Sequence, residues 1–302
     1  MRIIRQLEEL DQVDRLVVLG NFDGVHSAHQ QLFQEAARTA DAQKMRSSAI
    51  VFEPHPRQFF QPDSPLKLLS LADERAKRIE ACGIQELIVL PFNNAVAQWS
   101  PKRFVHEILL RALVKQVHVG QNYHFGYRGV GDTDTLHQLG VEYGFSVRVM
   151  PLLHMHGAIV SSSQIRKYLH QGNVADAALM LGYPYTLSGV VIHGEQIGRT
   201  IGYPTANIDV SEDKLLPRFG VYSGTLDIDN QSYLSLVNIG IRPTVQGASP
   251  TVEAYIRDFD GEVYGQTLAV ALKHFIRPEQ QFASLDQLKN QIARDLETMS
   301  ET

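Results

Sequence analysis

The first half of the chain alternates between short apolar runs and segments with helical periodicity, and this alternation limits the fold more than any other feature. The apolar runs are predicted strands, at Leu16–Leu19, Ala49–Phe52, Leu87–Leu90, Val117–Val119 and Ser146–Met150. The segments between them repeat apolar residues at the three- and four-residue spacing of a helix face. Such a chain is expected to form a parallel sheet with helices on both faces. Ligands of these sheets bind beyond the carboxyl ends of the strands, so the loops there are the first candidates for function.

The second half changes to strands that are separated by turns. The predicted strands are Leu187–Ile192, Gly220–Leu226, Tyr233–Ile239, Thr251–Ile256 and Leu268–Phe275. Strands of this length between glycine- and proline-containing connections predict an antiparallel sheet that closes into a small barrel. An amphipathic helix from Ser284 to about Thr298 follows, with Ser284 and Gln287 as a capping box. The turn Gly182-Tyr183-Pro184-Tyr185 marks the boundary, so we expect domains at 1–183 and 184–302.

Composition excludes several classes of protein. The 302 residues carry a formal net charge of −5, whereas a non-specific nucleic-acid binder would show a basic excess. No apolar run approaches the length of a membrane span, and the N-terminus lacks the apolar core of a signal peptide. We therefore expect a cytoplasmic protein without nucleic-acid or membrane partners. The single cysteine, Cys82, excludes an intramolecular disulfide and a zinc site built from several thiolates. Nothing in the sequence specifies an oligomeric state.

Two histidines follow the first predicted strand and the glycine turn Gly20–Gly24. His26 and His29 stand at the start of a predicted helix that extends to about Ala40, where residues three apart lie on one face. A helix N-terminus offers unpaired N–H groups and a partial positive charge, which suit a phosphate. Two imidazoles there can donate hydrogen bonds as negative charge builds on the phosphate during displacement. The alternatives are a surface helix with two incidental histidines and one half of a metal site.

Further polar residues follow other strands of the same sheet. His55 stands between Pro54 and Pro56, and the two prolines fix its backbone at the end of the second strand. The alternative is a rigid proline turn with an incidental histidine. Asn122 lies in the loop Gly120–Gly126, which follows the fourth strand. These positions place both residues at the same edge of the sheet as the two histidines. The role of the loop Arg57–Leu68, with its two phenylalanines, is open between covering a ligand and packing.

A serine-rich segment begins the next predicted helix. Ser162 and Ser163 can offer hydroxyl and N–H groups to phosphate oxygens, and Arg166 can add a charge-assisted hydrogen bond. The structural alternative is strong, because Ser161 and Gln164 by themselves form a capping box.

These segments, in this order, resemble the bacterial FAD synthetase family of the nucleotidyltransferase superfamily. His26-Ser27-Ala28-His29 is similar to the HxGH motif of that superfamily, with alanine in place of the glycine. The resemblance implies a Rossmann-like α/β domain that transfers the adenylyl group of ATP to FMN, with His26 and His29 at the α-phosphate. The implied nucleotide and substrate contacts are Gly20, Asn21, Phe22, Asp23, His55, Asn122, Ser162, Ser163 and Arg166. Glycine lets a backbone approach its ligand closely, so Ala28 leaves open an alternative in which this activity is weak or lost.

A second motif, Gly198–Asn207 with the sequence GRTIGYPTAN, lies in the predicted barrel. Its glycines permit a loop whose N–H groups approach a phosphate. Thr205 and Asn207 are two residues apart in an extended segment, so their side chains point the same way. Their oxygens are suitable ligands for Mg²⁺. The alternative is a glycine-rich hairpin with an ordinary Pro-Thr turn.

This motif resembles the signature of riboflavin kinases, and the resemblance continues through Asn238–Thr244, Val252–Ile256 and Ile276-Arg277. It implies an antiparallel β-barrel with a terminal helix that phosphorylates riboflavin with ATP and Mg²⁺. The glutamate of the family that matches Glu253 is the proposed base for the riboflavin 5′-hydroxyl, although Glu253 alone would be taken for a solvent-facing residue. The implied substrate contacts are Gly198, Gly202, Thr205, Asn207 and Arg277, of which Thr205 and Asn207 would hold the metal.

The two resemblances together cover about residues 14–298 and imply a bifunctional enzyme. It would make FMN from riboflavin, and then FAD from FMN with release of pyrophosphate. A hypothesis of another class is a non-catalytic flavin- or RNA-binding regulator built on the same two domains. The acidic sequence pI of about 6.2 argues against RNA.

Overall fold

The computed structural model describes residues 1–194, 198, 202–244 and 247–301. The chain forms two compact units, Met1–Ser162 and Ser163–Thr302. Across the described ranges, no helix combines the length and the apolar character that a membrane crossing requires.

A six-stranded parallel sheet forms the centre of the first unit, as the sequence predicts. Its strands are β1 (Arg2–Ile4), β2 (Arg15–Leu19), β3 (Arg46–Glu53), β4 (Glu86–Pro91), β5 (Val114–Gly120) and β6 (Ser146–Met150). Their order across the sheet is β1-β4-β3-β2-β5-β6. The edge strand β1 is not among the predicted strands, because its three residues are too short an apolar run to stand out.

Helices cover both faces of this sheet. The helices of this unit are α1 (Ser27–Ala42), α2 (Pro56–Phe60), α3 (Ala72–Ala81), α4 (Asn94–Ala97), α5 (Pro101–Phe104), which continues into a π-helical segment at Val105–Leu110, and α6 (Thr133–Tyr143). Of these, α1, α3, α5 and α6 bury residues in the two cores of the sheet. Alternate residues of β2 point to opposite faces. Leu16 and Val18 pack into one core with Phe33 of α1, whereas Val17 and Leu19 pack into the other core. A strand that is buried on both faces needs an unbroken apolar run, which explains the sequence Leu-Val-Val-Leu.

A short hairpin, β7 (His154–Met155) and β8 (Ala158–Ile159), follows the sheet. Two helices come next, α7 (Ser162–Gln171) and α8 (Val174–Leu181). Gly182 adopts the left-handed conformation after α8 and ends that helix. This glycine belongs to the turn in which the sequence analysis places the domain boundary.

The second unit contains a closed antiparallel barrel, again as predicted. Its strands are β9 (Thr186–Ile192), β10 (Thr205–Val210), β11 (Gly220–Ile228), β12 (Gln231–Thr244), β13 (Gly247–Ile256) and β14 (Thr267–Arg277), in the order β10-β13-β12-β11-β14-β9. Ala206, Val237 and Ala254 are buried in the barrel wall, whereas their neighbours in sequence face outwards. The terminal helix α9 (Leu285–Glu301) covers part of the outer face, where Met299 packs against Val221 and Leu236.

Candidate active sites

The loop after β2 turns sharply before α1 begins. Phe22 and Val25 have φ values of 53° and 38°, in the left-handed region that glycine favours. Gly20 makes room for this turn, because a Cβ at that position would lie 2.7 Å from the ring of Phe22. The buried Phe22 ring meets His29 edge to face, with centroids 5.2 Å apart. The ring of Phe22 therefore supports the ring of His29, and the contact of Phe22 with the nucleotide stays a prediction.

Asp23 fastens this loop to the segment before α3. Its Oδ1 accepts hydrogen bonds from the backbone N–H groups of Leu69 and Ser70, at 2.9 and 3.2 Å. The hydroxyl of Ser70 accepts from the N–H of Gly24, at 2.9 Å. Ser162 donates to the backbone carbonyl of Asp23, at 2.8 Å. Asp23 and Ser162 therefore hold the loop in place, although the sequence predicts both as nucleotide contacts. Asn21, on the same loop, is exposed.

The two histidines at the start of α1 form a stacked pair. Their ring centroids are 3.6 Å apart and the rings are 15° from parallel. His26 is the N-cap of α1, and its Nδ1 accepts a hydrogen bond from the backbone N–H of His29, at 3.4 Å. Because Nδ1 accepts, the proton of the neutral ring lies on Nε2. In the described part of the chain, no further His, Cys, Asp or Glu completes a metal-binding group with them.

Both imidazoles are held neutral. Burial lowers the pKa of His26 from 6.5 to about 4. Burial also lowers the pKa of His29 well below its usual value, and a charge on His26 would lower it further. The Nδ1 atom of His29 is buried and has no hydrogen-bond partner among the described residues. A buried polar atom without a partner costs free energy.

His55 is a second buried histidine at this edge of the sheet. It is the N-cap of α2, and its Nδ1 accepts from the N–H of Arg57, at 3.1 Å. Glu53, two residues before it, forms an ion pair with Arg75 of α3. Arg75 is 3% exposed, and burial lowers the pKa of its guanidinium while Glu53 and Asp23 oppose that shift. Arg75 therefore lies between the end of β3 and the loop of Asp23, a position that the sequence analysis missed.

Aromatic side chains form a groove near the same edge. Phe59, Phe60 and Phe92 meet edge to face, with ring centroids 5.2 to 5.6 Å apart. A cavity of about 450 Å³ is lined by Phe60, Ala97, Gln98, Tyr127 and Arg128. We call these lining residues the aromatic groove. Phe60 is 62% exposed, and an exposed aromatic ring beside a cavity of this size suits a planar ligand.

The remaining residues predicted for the α/β site lie on two elements. Asn122 is exposed in the loop after β5, where its backbone carbonyl oxygen is 3.0 Å from Nδ1 of His124. Ser163 and Arg166 lie in the first two turns of α7. Ala28 lies in the first turn of α1, where an alanine favours the helix over a glycine by about 1 kcal/mol.

In the barrel, the structure brings together the polar residues of the second motif. Asn207 of β10 is directly opposite Glu253 of β13. A Cβ at Gly198 would lie 2.3 Å from the carbonyl oxygen of Tyr203 and 3.5 Å from the hydroxyl of Thr205. Only a glycine therefore fits at this position, where the backbone of Tyr203 approaches closely. Gly202 has a φ of 86°, which also favours glycine. The rest of the loop, residues 195–197 and 199–201, lies outside the described residues.

Arg277 anchors the terminal helix. Its Nε lies 3.0 Å from both carboxylate oxygens of Asp295, and its Nη2 lies 2.8 Å from one of them. Its Nη1 donates to the carbonyl of Pro278, at 3.1 Å. Asp295 is 2% exposed and also accepts from Gln291, at 2.9 Å. All three guanidinium nitrogens take part in these contacts, so the contact of Arg277 with a flavin phosphate stays a prediction.

Each unit carries side chains and backbone groups that suit phosphate chemistry. The two units together therefore define a nucleotide-dependent transferase with a candidate site in each unit. Two family models match the chain: FAD synthetase over residues 8–164 and riboflavin kinase over residues 181–302. The chain belongs to the family of bifunctional riboflavin kinase/FMN adenylyltransferases.

Relatives of that description match along almost the whole chain. The protein of Pseudomonas fluorescens is 37% identical over 300 residues, which are 98% of this chain and 96% of the relative. The protein of Escherichia coli K12 is 35% identical with the same coverage. A crystal structure from Streptococcus pneumoniae, described as a macrolide-efflux protein, is 30% identical and superimposes over the full length of both chains with a TM-score of 0.91. That protein therefore has the same fold as this chain.

Proposed function

We propose that the chain phosphorylates riboflavin to FMN in the barrel and transfers the adenylyl group of ATP to FMN in the α/β unit, releasing pyrophosphate. The observation that carries this proposal is the presence of both family domains in one chain. We assign the adenylyltransferase to 1–183 and the kinase to 184–302, since Gly182 ends α8 just before this boundary. Both reactions consume ATP, and we place them in the cytoplasm.

The stacked histidines supply the electrostatics of adenylyl transfer. The phosphate oxygen of FMN attacks the α-phosphorus of ATP, and the bond from that phosphorus to the pyrophosphate oxygen breaks. Negative charge accumulates on the α-phosphate oxygens as this occurs. His26 presents Nε2–H because its Nδ1 is engaged as the cap of α1. Preorganised donors of this kind contribute roughly 10²- to 10³-fold each to the rate.

The aromatic groove is the proposed subsite for the flavin ring of FMN. Its support is the exposed face of Phe60 together with Tyr127, over which Arg128 lies with its guanidinium carbon 5.3 Å from the ring centroid. Planar rings stack well against aromatic faces, and the cationic side chain suits an electron-rich or anionic ligand. Asn122, exposed after β5, and His55 are proposed to contact substrate at the same edge.

The kinase site is proposed around Thr205, Asn207 and Glu253. The hydroxyl and carboxamide oxygens of the first two are hard ligands, so these residues fit Mg²⁺. The bound ion would neutralise charge on the phosphates of ATP. Glu253 accepts the proton of the riboflavin 5′-hydroxyl as its oxygen bonds to the γ-phosphorus and ADP leaves.

The direct test incubates the purified chain with riboflavin, ATP and Mg²⁺ and separates the products by chromatography. We expect FMN and FAD. His29→Ala should abolish FAD while FMN still forms, and Glu253→Gln should abolish FMN while supplied FMN is still converted to FAD. His154→Ala, in the exposed hairpin, is the matched histidine control. Loss of both products in either single-site variant, with the protein still folded, would refute this division of labour.

The alternative of a kinase with little adenylyltransferase activity has less support, because the FAD synthetase model matches residues 8–164 and the relatives are described as bifunctional. The Ala28→Gly variant measures what the extra methyl group contributes. A rate of FAD formation that rises more than tenfold in this variant would favour the alternative.

A further inference from the structure

Arg75 of α3 occupies a position where a charged side chain is costly. The inward face of α3 follows the spacing of residues 75, 79 and 82, and at the last two positions Ile79 and Cys82 pack into the apolar core beside the sheet. Arg75 is buried like these two residues, so its cation has lost almost all contact with water. Charged side chains are seldom buried in this way unless they are paired. The partners of Arg75 therefore indicate its role.

Glu53, at the carboxyl end of β3, is the direct partner of Arg75. The Nη2 group of Arg75 donates a hydrogen bond to Oε1 of Glu53, and the two side chains form an ion pair. Another cation, Arg5, lies 3.8 Å from the other carboxylate oxygen, but its side chain is exposed, and ion pairs of exposed side chains contribute little. Arg75 is therefore the cation that fixes the direction of this carboxylate.

Asp23 is a second carboxylate near Arg75. Its negative charge stabilises the charged guanidinium, as does the charge of Glu53. Asp23 is buried, and its Oδ1 accepts hydrogen bonds from the N–H groups of Leu69 and Ser70, just before α3. The start of α3 and the loop of Asp23 are thus joined by hydrogen bonds and by the attraction between Arg75 and Asp23.

These interactions connect two segments that carry proposed site residues. The chain reaches His55 two residues after Glu53, and it reaches His26, the cap of α1, three residues after Asp23. The two segments follow the carboxyl ends of β3 and β2, which are neighbours in the sheet. The Nε atom of Arg75 is buried and has no hydrogen-bond partner among the described residues, so attraction to the two carboxylates offsets the burial of this cation.

We propose that Arg75 is a positioning residue of adenylyl transfer: it holds the end of β3 and the loop after β2 at a fixed spacing, so that His55 and His26 meet the bound substrates in a productive arrangement. The inference rests on the proposed function of the α/β unit. Arg75 acts through Glu53 and Asp23 and does not touch the substrates. Catalysis depends strongly on such spacing, since a displacement of about 1 Å can lower a rate about 100-fold.

The test separates positioning from stability, with conversion of supplied FMN to FAD as the activity. Arg75→Met keeps a long side chain but leaves Glu53 and Asp23 without their buried cation. It should lower kcat about 10- to 100-fold and lower the urea midpoint of the Trp99 fluorescence transition. Arg75→Met/Glu53→Leu replaces the ion pair by apolar side chains, a change that is often neutral for stability. Its urea midpoint should recover, whereas its kcat should stay at least tenfold below that of the wild-type protein.

A conservative variant and a matched control complete the design. Arg75→Lys keeps the cation and should recover part of the lost kcat. The KM for FMN should change less than threefold in all these variants, because the substrate contacts are intact. Lys77→Gln removes an exposed cation of the same helix and should change neither kcat nor the urea midpoint. Riboflavin phosphorylation should be unchanged throughout, since the barrel belongs to the other unit.

Recovery of both the urea midpoint and kcat in the double variant would show that the ion pair only stabilises the fold, and it would overturn the inference. A wild-type kcat in Arg75→Met, a loss confined to KM, or an Arg75→Lys variant as slow as Arg75→Met would overturn it too. If Arg75→Met does not fold, the kcat of the double variant decides. A wild-type protein that converts no FMN to FAD would instead overturn the proposed function of the α/β unit.

Discussion

The imidazole of His26 should make the first unit less stable in mild acid, and His26→Asn should remove that effect. Burial lowers the pKa of His26 from 6.5 to about 4 in the folded chain, whereas the unfolded chain leaves the ring in water. Between these two values the unfolded state binds a proton that the folded state does not. The free energy of unfolding therefore falls as the pH falls through this window, and above pH 6.5 the ring adds no pH dependence.

The size of the effect follows from the two values. One unit of pKa difference corresponds to about 1.4 kcal/mol, so the loss is about 3 kcal/mol below pH 4 and about 2 kcal/mol at pH 5. Asparagine is a good N-cap, so His26→Asn keeps an acceptor for the N–H of His29 and does not titrate. On a change from pH 8 to pH 5, the variant should therefore gain about 2 kcal/mol relative to the wild-type protein.

Urea unfolding followed by tryptophan fluorescence measures this difference. Trp99 is the only tryptophan of the chain and lies in the first unit, so its emission reports on that unit. His118 is also buried with a lowered pKa, but it titrates in both proteins and cancels in the comparison. His154→Asn, at the exposed hairpin, is the matched control. Equal losses of free energy in the wild-type protein and His26→Asn would show that His26 is not buried as a neutral ring, and the proposed role of the stacked pair would then be wrong.

Three further predictions concern other parts of the chain. Asp295→Asn removes the buried charge that pairs with the half-buried guanidinium of Arg277, which should destabilise the second unit by about 1.5–3 kcal/mol, measured as a lower melting temperature of FMN-forming activity. An unchanged melting temperature would contradict the anchoring role. Gly198→Ala puts a methyl group where the backbone leaves no space, and FMN formation should fall at least tenfold while FAD formation from supplied FMN stays constant. Phe60→Ala should weaken FMN binding about tenfold, measured by quenching of Trp99 emission, and equal affinity would exclude the aromatic groove as the flavin subsite.

Sequence periodicity predicted the strands of both units where each one buries a face. It failed where the apolar signal was short. Strand β1 contributes three residues, and helices α2 and α4 have five and four residues, too few to establish a helical period. Strand β10 was anticipated only as an extended segment, because its residues from Thr205 onwards follow a glycine-rich loop whose composition indicates a turn.

The candidate sites were predicted less completely than the fold. Local motifs pointed to His26 and His29, but stacking and the capping role of His26 depend on backbone angles that no motif records. Arg75 was missed because it lies in a charged helical segment, and its ion pair with Glu53 joins residues 22 positions apart. The pairing of Asn207 with Glu253 required the register of the barrel, which the sequence does not display.

Alternate residues of each barrel strand face opposite sides of the wall. The residues that stabilise the barrel and the residues proposed for catalysis therefore occupy different positions. In β13, Val252 and Ala254 are buried in the packed wall, while Glu253 between them is the proposed base of the kinase. A substitution at a buried wall position is expected to change the stability of the barrel. A substitution at an outward-facing position of the proposed site is expected to change turnover. An engineer could therefore retune the catalytic face for an altered flavin while leaving the wall intact, or rebuild the wall for heat resistance without disturbing the reaction.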